Sequence, residues 1–188
     1  MTVLHLFWMP ILLSAVFVFI ASTIIHMALP WWHKNDYGKL PREAEVLDAL
    51  RPFAIPPGDY MAPQAADMAD MRTPEFKEKA NKGPIVVMTV FPNGTLFAMG
   101  KSLSLWFLYL LVVSLLTGYV ACHAIPEWLG YKKVAHIVGV ASFLGYAPAL
   151  WQMSIWYRRS WCTTARSTVD GLIYAGITAL TFGWLWPR

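Results

Sequence analysis

The chain is 188 residues long, 57% apolar and 14% charged, with 15 Lys and Arg against 11 Asp and Glu. A soluble domain carries about 25% charged residues, so this balance excludes an ordinary soluble enzyme or a disordered tail. No basic stripe with interleaved aromatics offers itself to nucleic acid, and two cysteines, Cys122 and Cys162, are too few for a disulfide scaffold.

The first segment, 1–30, holds no charge, and its apolar core from Leu6 to Leu29 exceeds the roughly 20 residues that cross a bilayer. A cleaved signal peptide needs a basic start and a short apolar core. No Lys or Arg precedes Lys34, so the expectation is a retained transmembrane helix with Pro10 near its start and Pro30 at its end.

Residues 31–101 form the one sizeable polar region. Trp31 and Trp32 suit the membrane interface. Pro41, followed by Glu43 and Glu45, predicts a short helix to about Arg51. Pro52, Pro56, Pro57 and Pro63 make 52–66 an extended loop. Thr73-Pro74-Glu75 starts a second helix that Gly83 stops. Pro84–Phe91 is rich in β-branched residues, and Pro92-Asn93-Gly94 separates it from Thr95–Met99, which predicts a β-hairpin. Both faces of that hairpin are apolar and need cover. Val86, Met88, Val90, Phe91 and Phe97 are therefore candidate partner contacts.

Two further uncharged runs, 102–125 and 134–157, predict a pair of spans joined by the loop 126–133, which carries Glu127, Lys132 and Lys133. In lipid the backbone satisfies its own hydrogen bonds only as helix or closed barrel, so these runs are helical. Pro148 should kink the third span. A loop at 158–168 leads to a fourth span at 169–188. Asp170 lies four residues after Arg166, which suggests a local ion pair at the interface.

The fold class expected is an all-α membrane protein: four transmembrane helices with a small cytoplasmic α+β segment of two short helices and a hairpin. With four spans, Lys132, Lys133 and Arg188 fall on one side and the other twelve of the fifteen basic residues on the opposite side. The positive-inside rule then puts both termini outside and 31–101 in the cytoplasm, in a bacterial inner membrane. Small residues at every fourth position mark close helix packing: Ser114 and Gly118; Ala141, Gly145 and Ala149; Gly171, Ala175, Ala179 and Gly183. No internal repeat suggests an inverted-repeat transporter.

Candidate chemistry is sparse. His123 and His136 close two neighbouring spans and could hold haem b between them. With His5, Met9 and Cys122 they could instead make a copper or zinc site. The plainer reading is interfacial histidines bonded to backbone or water, with no cofactor. His26, sharing a face with Ser14 and Ser22, is a candidate because it lies within a span, although Pro30 one turn later lets it reach the interface. There is no nucleophile elbow and no phosphate-binding glycine loop, so no enzyme is expected. The function expected is a non-catalytic membrane subunit or accessory factor of a larger complex, with the bilayer and other membrane subunits as partners. The alternatives are a haem or copper redox protein using His123 and His136, and a homo-oligomeric transporter or channel lined by Ser14, Ser22 or His26.

Overall fold

In a computed structural model, residues 3–124 and 130–186 are described, the side chains of 3–7 excepted. The helices are α1 (Val3–Thr23), α2 (Pro30–His33), α3 (Glu43–Leu50), α4 (Pro74–Lys82), α5 (Met99–Ala124), α6 (Tyr131–Tyr146), α7 (Trp151–Tyr157) and α8 (Trp161–Leu185). Two strands, β1 (Gly58–Ala62) and β2 (Val86–Val90), pair antiparallel. The chain divides into two units, one of Met1–Gly38 with Gly100–Arg188, the other Lys39–Met99.

Four helical segments are long and apolar enough to cross a membrane: Trp8–Ala28, Met99–Ala124, Tyr131–Tyr157 and Trp161–Leu185. Prolines shape two of them. Pro30 has no N–H, and its ring crowds the carbonyl four residues earlier, that of His26. The helix widens there into a π turn at Ile24–Ala28, closed by the Leu29 N–H on the Ile24 carbonyl at 3.2 Å. Pro148 acts likewise, breaking the third span into α6, a 3-10 turn at Pro148–Leu150 and α7. The fourth span reaches further back than its apolar run. Residues 161–168, expected in a loop, are helical because Thr163 and Thr164 are buried rather than solvated. The Ser154 and Thr164 hydroxyls meet at 2.6 Å across α7 and α8.

Close helix contacts run along one face of α8. A Cβ added to Gly171 would stand 2.7 Å from the Ala147 Cβ, and one added to Gly183 would stand 2.9 Å from the Tyr131 ring. Ala175 and Ala179 complete this buried face. In lipid, packing of this kind and interhelical hydrogen bonds hold a bundle together. α6 meets it with Val134, Val138, Ser142 and Tyr146, while Ala141 is half-buried and Ala149 exposed. A Cβ on Gly145 would lie 3.0 Å from Val113 of α5. On α5, Ser114 and Gly118 are buried, and a Cβ at Gly118 would meet Ile11 and Phe182 at 3.4 Å. Hydroxyls and indoles add cross-links: Ser14 donates to Ser114 at 3.0 Å, and the Trp106 indole donates to Ser22 at 2.9 Å.

In the second unit both short helices form. The Thr73 hydroxyl caps α4 by accepting the Phe76 N–H at 3.2 Å, with Pro74 at the first helical position. Arg42 pairs with Glu45 and holds that carboxyl below its ordinary range, but the pair is fully exposed. The predicted hairpin is corrected. Thr95–Phe97 is a 3-10 turn, tied by the Thr95 hydroxyl to the Pro92 carbonyl at 2.7 Å. β2 pairs instead with Gly58–Ala62 of the proline-rich stretch, Tyr60 opposite Met88. The reason is local: Pro92 supplies no ladder N–H, and the Thr95 hydroxyl competes for the backbone that a return strand would need. Across the ladder the Thr89 hydroxyl donates to Asp59 at 2.6 Å.

Substituting Gly171→Leu should lower bundle stability by about 1–3 kcal/mol, the usual cost of overpacking. Gly176→Leu, where an added Cβ meets nothing within 4 Å, should not. Thermal unfolding of both variants in detergent compares them directly.

Candidate functional site

At the end of the bundle where α1 turns into α2, charge is gathered among apolar helices. The π turn carries His26, α2 carries Trp32 and His33, Asp36 follows, and α8 contributes Arg166 and Asp170. Asp170 is the centre of the group. Its side chain is 5% exposed, and an ion so placed needs partners to offset its lost hydration. One carboxylate oxygen, Oδ1, accepts the Trp32 indole N–H at 2.8 Å. The other, Oδ2, lies 3.1 Å from His33 Nε2. His33 Nδ1 stands 2.7 Å from Asp36 Oδ2, and the Arg166 guanidinium donates to Asp36 Oδ1.

His26 is exposed, and its ring stacks on that of His33, with centroids 4.4 Å apart and planes 12° from parallel. Its Nδ1 is 2.9 Å from the Ser22 carbonyl, the residue one turn earlier. One ligand atom from each of His26, His33 and Asp170 lies within 4.8 Å of the others. Such a set can hold a proton between acid and base, or a small cation.

This arrangement corrects the local Arg166–Asp170 pair. Both residues lie on the α8 face that meets α1 and α2, so each finds its partner across helices: Arg166 takes Asp36, and Asp170 takes the Trp32 indole, with His33 Nε2 3.1 Å away.

The other candidates lie elsewhere. His123 and His136 are both exposed at the opposite end of the bundle, near the cluster that includes Ile11, Val134 and Phe182. His123 sits against its own helix, with Nδ1 2.8 Å from the Tyr119 carbonyl. Cys122 is half-buried against that apolar cluster, and Met9 is exposed. The His5 side chain, like Glu127, lies outside the described residues. None of these belongs to the three-ligand group found among the described residues. In the second unit Val86, Phe91 and Phe97 are exposed, while Met88 and Val90 are half-buried.

Sequence reasoning weighed His26 but passed over His33 and Asp36. The signal was present as spacing: His33 follows His26 by seven residues, two helical turns, and Asp36 follows His33 by three. Comparison of the chain with protein-family models, with curated proteins and with solved structures yields no match.

Arg166→Gln should destabilise the bundle by about 1.5–3 kcal/mol, the range for a buried hydrogen bond to a charged group. The Asp36→Asn, Arg166→Gln pair should cost less than the sum of the single changes. A double-mutant cycle from thermal or denaturant unfolding in detergent measures that coupling.

Proposed function

We propose that this chain is a non-catalytic integral membrane subunit, or accessory factor, of a larger membrane assembly. The observation that carries this reading is the surface of the second unit. Not one residue of Lys39–Met99 is buried. Phe53 is 72% exposed, Leu96 77% and Phe97 89%. A segment of this size that turns its largest apolar groups outward gains little from its own core. Exposed apolar surface of this extent, rimmed by charge, fits a protein partner.

The four membrane-length helices supply the anchor. The distribution of basic residues supports placing Lys39–Met99 in the cytoplasm and both termini outside, in a bacterial inner membrane. The partner surface would then be reached from the cytoplasm. A channel reading finds less support. Ser14 and Ser22 are both buried, and their hydroxyls bond to neighbouring helices rather than facing a path.

A photo-crosslinking amino acid in place of Phe97, Leu96 or Phe91, activated in native membranes, tests the proposal. The same discrete adduct with one other polypeptide should appear from all three positions and be absent from Glu78. Adducts with lipid alone, or with a second copy of the chain alone, would overturn it.

A further inference from the structure

We propose that His26, His33 and Asp170 form a binding site for a divalent transition-metal ion of the zinc class. Two imidazole nitrogens and one carboxylate oxygen are the donor set of open zinc sites, which keep a fourth position for water. Three features of the cluster fit this use.

The first is the anchoring of the ligands. A metal-binding histidine characteristically donates its other N–H to a carbonyl or carboxylate, which fixes the tautomer and raises the basicity of the ligating nitrogen. Both histidines meet that condition. His26 Nδ1 is held by the Ser22 carbonyl at 2.9 Å. His33 Nδ1 is held by Asp36 at 2.7 Å, and Asp36 is in turn held by Arg166. Asp170 has one oxygen fixed by Trp32 and the other free to bind. Each candidate ligand thus has one polar atom tied down; the His26 and His33 rings lie nearly parallel, 12° apart in plane, so His26 must turn off the stack for both lone pairs to meet one ion.

The second feature is His33 Nε2. It is buried and makes no hydrogen bond, although Asp170 Oδ2 is only 3.1 Å away, because the two are not aligned. With Nδ1–H given to Asp36, Nε2 presents a lone pair toward a carboxylate. Two acceptors at that distance repel unless a cation lies with them. The third feature is charge. Asp36 and Asp170 against Arg166 leave one net negative charge when the imidazoles are neutral, and the Asp170 side chain is only 5% exposed.

Zinc lies about 2.0–2.1 Å from imidazole nitrogen, so tetrahedral ligand atoms stand about 3.3 Å apart. The cluster, spanning up to 4.8 Å, must contract on loading. His26 is the ligand placed to move, since it is exposed and sits in the widened turn before Pro30. Its exposure also leaves the fourth position open to solvent.

The test uses the full chain in detergent, stripped with a chelator and titrated with zinc alone against a chromophoric competitor. One zinc per chain should bind. His26→Ala should weaken it by about tenfold or more, and Asp36→Asn by roughly 10–100-fold, while His136→Ala leaves it unchanged. Cobalt in place of zinc should give the visible bands of a tetrahedral site, lost in His26→Ala. His26 is exposed, so this variant stays informative even if Asp170→Asn fails to fold. Absence of stoichiometric zinc, or affinity unaltered by both His26→Ala and Asp36→Asn, would overturn the proposal.

Discussion

A carboxylate buried on a membrane-length helix is the constraint to which the first unit answers. Desolvating such an ion costs several kcal/mol even after relaxation. Asp170 sits on the inner face of α8 with the Trp32 indole donating to it from α2 and His33 Nε2 beside its second oxygen. For α2 to be there, the chain must turn sharply after α1. Pro30 forces that turn and widens the helix ahead of it, and the widened turn swings His26 over His33. Asp36 and Arg166 then close the group from the far side. One acidic residue and one proline thereby account for the arrangement of five other side chains.

The same turn of α8 also carries a close helix contact. Gly171 follows Asp170 directly and meets Ala147, just before the Pro148 break. Rotating α8 either way would unpair Asp170 on one side or drive the helix into the third span on the other. Dispersion at the small-residue face and electrostatics at the charged face therefore fix one rotational setting between them. Apolar contacts alone specify a setting less sharply, because lipid tails and leucines are nearly equivalent surroundings.

How much of this was legible in the sequence follows the range of the forces involved. The long apolar runs predicted four membrane-length helices because that signal is local and additive. Thr73-Pro74 and Pro148 were equally readable, each acting within a turn of its own position. The hairpin was misread because Asn93-Gly94 looked decisive, while the true partner of β2 lies near Tyr60, hidden in a run of prolines that argued against a strand. Arg166 and Asp170 were misread for a related reason: a spacing of four suggests a pair, but burial and a partner helix decide it. His33 is harder to read as a site member, since its spacing of seven from His26 runs across Pro30, where helical register should break.

The separation along the chain between Trp32 and Asp170, 138 residues, bears on how the protein is made. α1 and α2 leave the ribosome long before α8, the least apolar of the four membrane-length segments and the one that carries Arg166 and Asp170. A lone acidic or basic residue at the centre of an inserting helix costs about 2.5–3.5 kcal/mol. By the time α8 emerges, the neighbours of its two charges, Trp32, His33 and Asp36, have already been made. Entry of the fourth helix into a bilayer would then draw on partners made earlier in the chain as well as on its own hydropathy.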